Sequence, residues 1–110
     1  MIAQQRVQTL PENSIVEAEA RRILRRLCES EACLAIAPRM DKAVVVREMP
    51  DDRTIRTAVL DRAVAEAFVV KDWIEMRGTG KVARYGITSA GRAALKRLLA
   101  QQTTAKQGFA

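Results

Sequence analysis

The tightest constraint on this chain is the stretch 72–99, where two short β-type runs flank a glycine-containing turn and lead directly into an amphipathic helix. Trp73, Met76, Tyr85 and Ile87 give the runs their strand character. Gly78-Thr79-Gly80-Lys81 supplies the turn, because glycine tolerates the positive φ that tight hairpins require. Ser89 is placed to cap the helix that follows, in which Ala94, Leu95, Leu98 and Leu99 recur at helical spacing. A hairpin closed by a helix cannot bury its apolar face alone, so the preceding residues must supply the other side of a core.

They are enough for one small domain. The chain has 110 residues and is 48% apolar but only 4% aromatic, so its core must be built from Val, Leu, Ile and Ala. Residues 1–13 read as a short arm ended by Leu10, Pro11, Glu12 and Asn13. Ser14 and Glu17 fit a capping box for a helix over 14–29, with Val16, Ala20, Ile23, Leu24 and Leu27 as its apolar stripe. Arg21, Arg22, Arg25 and Arg26 lie off that stripe among Glu17, Glu19 and Glu29, a pattern that favours a solvated face over a phosphate-binding one.

Residues 33–37 and 43–47 read as a β-hairpin closed by the loop 38–42, although the alanines of the first run also allow a helix. Three consecutive valines make the second strand firm. Asp51, Asp52 or Thr54 is placed to cap a helix over 55–70, whose expected stripe is Leu60, Ala63, Val64, Ala67 and Phe68, extended by Ile55 and Val59. The last helix is expected over 89–100. Residues 101–110 form a polar tail that reads as leading into a further region of a longer protein. The expected class is therefore α+β: helix, β-hairpin, helix, β-hairpin, helix, with the domain proper over 14–100.

Charge narrows the function. Residues 1–70 hold eleven Lys/Arg and eleven Asp/Glu, whereas residues 71–110 hold eight Lys/Arg and two Asp/Glu and carry the whole net charge of +6. A basic surface on the hairpin, last helix and tail suits phosphates or an acidic protein. Catalysis is not expected. There is no histidine to act as base or metal ligand, no glycine-rich loop opens a helix after a strand, and the carboxylates are dispersed among cations. Cys28 and Cys33 are too few for a structural zinc site and read as buried thiols, with a disulfide as the alternative. No cofactor or metal is implied. No membrane-length apolar run or signal segment is present, so a cytoplasmic location is expected.

Trp73-Ile74-Glu75, the basic turn, Tyr85-Gly86-Ile87-Thr88 and Gly91-Arg92 followed by Ala94-Leu95 resemble the wing and closing helix of winged-helix transcription regulators. Over a longer span, the phrases 18–27 (AEARRILRRL) and 61–67 (DRAVAEA) resemble the winged-helix portion of the alphaproteobacterial gene transfer agent activators of the GafA type. The resemblance implies a winged-helix-like transcription activator that binds double-stranded promoter DNA and engages RNA polymerase. Winged-helix regulators also often form homodimers. In that reading the helix 55–70 presents Arg56, Thr57 and Arg62 to DNA, and the wing presents Arg77, Thr79, Lys81 and Arg84. Arg92, Lys96 and Arg97 would extend a phosphate track or form a solvated face. One departure is visible: a β-hairpin occupies 33–48, where the winged-helix pattern has a short helix. A protein-docking domain of the same fold is the second reading, and an exposed Leu34, Ile36 or Met40 would favour it.

Overall fold

In the computed structural model of the chain, residues 11–78 and 80–107 are described, with side chains as far as Gln102 on the last helix. The elements run α1 (Asn13–Leu27), β1 (Ala32–Ile36), β2 (Lys42–Glu48), β3 (Thr54–Asp61), α2 (Arg62–Val70), β4 (Ile74–Gly78), β5 (Ala83–Ile87) and α3 (Ser89–Gln107). The fold is mixed α+β: three helices and one five-stranded antiparallel sheet in the order β3-β2-β1-β5-β4.

Two expected boundaries shift. The helix expected over 55–70 is half strand. Thr54, Ile55, Thr57 and Val59 favour extended backbone, and the free edge of β2 offers them a ladder from Lys42–Asp61 to Glu48–Thr54. A bulge at Thr57 breaks the strict alternation of β3, which is why its apolar spacing imitates a helix. The order is therefore α-β-β-β-α-β-β-α in place of the expected alternation of helices and hairpins. In addition α3 runs on to Gln107, so the backbone over 101–107 is helix rather than a tail. Of the expected arm, residues 1–10 lie outside the described residues, as do 108–110 of the tail.

Pairing fixes which side chains share a face, because residues opposite each other in a sheet point the same way. Leu34 lies opposite both Val45 and Tyr85, Ala43 opposite Leu60, and Ile74 opposite Ile87. This face meets the stripe of α1 (Val16, Ala20, Ile23, Leu24, Leu27), α2 (Val64, Ala65, Ala67, Phe68) and α3 (Ala94, Leu98) in one core. Leu60 reaches that core from β3, Ala63 is exposed, and Ala65 takes the expected place of Ala63. Ile55 and Val59 are exposed at the sheet edge. The opposite face, which carries Cys33, Ala35, Val44 and Val46, has no helix on it among the described residues.

The junctions differ from the expected caps. Glu12 precedes α1 without a side-chain cap, and Asn13 Nδ2 donates to Glu17 Oε2 at 3.2 Å in place of a Ser14 box. Helix α2 ends with Asp72 in the left-handed region (φ 63°). The Trp73 and Asp72 amides donate to Phe68 O and Val69 O at 2.9 and 3.0 Å, a Schellman closure. The Phe68 and Trp73 rings then meet at 5.8 Å. Thr88, not Ser89, caps α3: its Oγ1 accepts from the Gly91 amide at 2.9 Å and donates to Asp72 O at 2.6 Å. The Thr88 amide donates to Trp73 O at 3.0 Å. The end of α2 and the start of α3 are thus fastened to one another.

Gly91 sits against that joint. A Cβ there would lie 2.2 Å from Trp73 O and 2.8 Å from Ile87 Cγ1. In an unhindered helix Gly→Ala stabilises by about 1 kcal/mol. Here the sign reverses, and we expect Gly91→Ala to destabilise by ~2–4 kcal/mol, read as a lowered urea midpoint with unchanged m. A rise in midpoint would show that the helix and β4 are not in this close contact.

Candidate nucleic-acid interface

The seven residues expected to touch DNA do not form one surface. Arg56, Arg77 and Arg84 lie on the open face of the sheet, while Arg62 and Lys81 lie beside α2 on the helical side. Thr57 sits at the bulge, and Thr79 lies outside the described residues.

On the open face, Arg84 of β5 crosses β1 and pairs with Glu48 of β2 at 3.4 Å. Arg77 occupies the second bulge, pairs with Glu75 at 3.3 Å and donates to Ile87 O at 3.0 Å. Its guanidinium lies over Gly86, where an added Cβ would stand 2.8 Å from Arg77 Cζ. Glycine in the middle of β5 therefore makes the space that Arg77 fills. Arg56 is exposed opposite Val46, three strands from β5, or about 14 Å between backbones at normal strand spacing. Thr57 is half-buried and donates to Val45 O at 3.4 Å. At the rim, Lys42 pairs with Asp61; the hydrogen bond first and the charge second hold its ammonium above the ordinary lysine range.

On the helical side, Arg62 is a structural clamp. Its Nη1 donates to Ala37 O at 3.1 Å and Met40 O at 3.2 Å, and its Nε pairs with Glu66 at 3.2 Å. The Arg62 amide also donates to Asp41 O at 2.8 Å. The first turn of α2 is thereby fixed to the β1–β2 loop. What remains outward on α2 is Ala63, Glu66, Val69 and Val70, with Val70 69% exposed. Such a face offers no hydrogen-bond donor to a base edge. It borders a groove of about 480 Å³ between α2 and β5, floored by Ile36, Val69, Val70 and Tyr85 and rimmed by Glu66 and Lys81.

That groove is the feature that sequence reasoning missed. Its one signal was the apolar pair Val69-Val70 running past the buried stripe. Of the apolar residues on the first hairpin, Leu34 and Ile36 are buried and Met40 is 54% exposed. The cysteines are free thiols as expected, but Cys28 is exposed and Cys33 half-buried, so neither is buried. Among the described residues no group of His, Cys, Asp and Glu is placed to hold a metal ion, and no helix is long and apolar enough to cross a membrane.

Among the described residues several cations have no acidic partner, Arg56 on the open face included, and four of them lie in the C-terminal part of the chain. Lys81 at the turn and Arg92, Lys96 and Arg97 on α3 are exposed, and none forms an ion pair there. The architecture so defined is a one-sided α+β layer: helices on one face of an antiparallel sheet, and a basic hairpin–helix unit at its C-terminal end. Comparison with protein-family models, curated proteins and solved structures returned no match.

If Arg62 clamps rather than recognises, Arg62→Ala should lower stability by about 1–2 kcal/mol, since one part-buried and one exposed hydrogen bond from a charged group to loop carbonyls are lost. Thermal unfolding with a parallel DNA titration separates the roles. A loss of DNA affinity at unchanged stability would return Arg62 to the interface.

Proposed function

We propose that this chain is a domain of a bacterial transcription regulator of winged-helix type, acting in the cytoplasm at the nucleoid. It attaches to double-stranded DNA through phosphate contacts of its C-terminal basic unit, in the manner of the gene transfer agent activators it resembles. Support for the winged-helix reading comes from the unit β1-β5-β4 with α2 beside it and α3 closing it. The observation that carries the DNA reading is that Lys81, Arg92, Lys96 and Arg97 are exposed with no carboxylate partner among the described residues. Unpaired cations attract phosphate without first breaking an ion pair. Because the outward face of α2 is apolar and acidic, binding in this proposal is weakly sequence-dependent, and promoter choice comes from outside this domain.

A second reading is favoured by a separate observation. The groove between α2 and β5, with Val69 and Val70 exposed, fits a protein-docking domain that contacts RNA polymerase, another regulator or a second copy.

Fluorescence anisotropy with a mixed-sequence duplex, at low and at physiological salt, tests the proposal. Salt-sensitive binding is expected. Replacing Lys81 and Arg97 together with Ala should weaken it on every sequence and reduce the logarithmic salt slope by about 2. Absence of binding at low salt would discard the DNA reading and leave docking.

A further inference from the structure

Helix α1 carries Arg21, Arg22, Arg25 and Arg26, two pairs spaced four residues apart on adjacent rows. With Ala18, Glu29 and, from α3, Leu99 and Gln102, they line an open groove of about 600 Å³ between the two helices. Arg22 pairs with Glu19 at 2.6 Å, which raises the pKa of its guanidinium. Arg26 pairs with Glu29 at 3.1 Å. Arg21 and Arg25 have no carboxylate partner among the described residues. Four arginines thus line one groove with a single lining carboxylate, Glu29, and of these the Arg22 guanidinium is also held by Val59 O of β3 at 2.9 Å.

We propose that this groove docks an acidic amphipathic helix of a partner protein. Charge complementarity requires an anionic occupant, and two features select a peptide over a nucleic acid. The first is the pair of local carboxylates, Glu19 and Glu29, already on the patch. They repel a continuous run of phosphates but leave Arg21 and Arg25 open to discrete carboxylates between them. The second is the apolar strip of Ala18 and Leu99, which gives a sugar–phosphate backbone nothing to bind and receives a leucine or methionine well. Glutamates four residues apart on a helix match the Arg21–Arg25 spacing, and arginine forks bind carboxylates bidentately. The proposal is independent of the DNA reading, because none of Lys81, Arg92, Lys96 and Arg97 lines this groove.

The test uses the full chain and a short fluorescein-labelled amphipathic helix carrying leucines on one face and glutamates four residues apart beside them. Anisotropy should give saturable binding in the micromolar range. Arg21→Glu with Arg25→Glu should weaken it about tenfold or more, a difference of ~1.4 kcal/mol. Ala18→Glu, at an exposed position that needs no refolding of the core, should weaken it as well, while Lys81→Ala should leave it unchanged. Three results overturn the proposal: no binding by the native chain, equal binding of a peptide whose leucines are replaced by glutamine, or a loss of duplex DNA binding in the double variant as large as its loss of peptide binding. The last would make the groove a nucleic-acid surface.

Discussion

The apolar stripe of α1 is the contact on which the rest of this structure depends. Val16, Ala20, Ile23, Leu24 and Leu27 are all at most 3% exposed, and the helix touches both other helices and strands β1, β2, β3 and β5. No other element reaches so widely. Each large aliphatic side chain buried there contributes roughly 1.5–3 kcal/mol relative to exposure. The small residues Ala20, Ala43, Ala65, Ala67 and Ala94 let the layers approach closely in a core whose only fully buried aromatic among the described residues is Phe68. Because α1 covers a single face of the sheet, the other face is left open at Cys33, Ala35, Val44 and Val46, with Arg56, Arg77 and Arg84 around them.

Much of this was legible in the residues, and the failures have physical causes. The stripe of α1, the two hairpins and the start of α3 follow from period and turn chemistry, which are local. Residues 55–61 were misread because Ile55, Val59 and Leu60 fall at helical spacing. A ladder to β2 and a bulge at Thr57 decided otherwise, and both are non-local. The end of α2 at Val70 falls where the helix expected over 55–70 stops, although its closure uses Asp72 in the left-handed conformation that glycine usually supplies. Thr88 rather than Ser89 caps α3 because its hydroxyl also has Asp72 O to donate to, a partner that only the folded chain brings near.

The candidate site was less legible than the fold, for the same reason. Charge and exposure identify a cation from sequence, but its partner depends on strand order. Arg84 and Glu48 are 36 residues apart in the chain and meet because β5 and β2 flank β1. Arg62 reads as an outward helical residue and becomes a clamp once β3 delivers it beside the β1–β2 loop. Placing β2 and β3 in one sheet with the β4–β5 hairpin puts Arg56 on the open face and leaves Arg62 on the helical one. A single recognition surface became two.

The energetics of those pairs rank how readily each cation can meet a phosphate. Lys81 has no acidic partner among the described residues to lose. Arg84 has one exposed pair at 3.4 Å, and such pairs contribute about 0–1 kcal/mol, so a phosphate can replace Glu48 at little cost. Arg77 adds a backbone hydrogen bond and contact with Gly86, which resist displacement. Arg62 serves two carbonyls and Glu66 at once, so withdrawing it gives up three bonds that hold α2 to the β1–β2 loop and to its own second turn. Exposure alone ranks these residues differently, since Arg77 and Arg84 are about equally exposed. What separates them is the number of internal bonds each must give up. By that measure the free cations of the turn and α3 rank ahead of Arg84, Arg77 and Arg62 among the groups this fold leaves ready for an external anion.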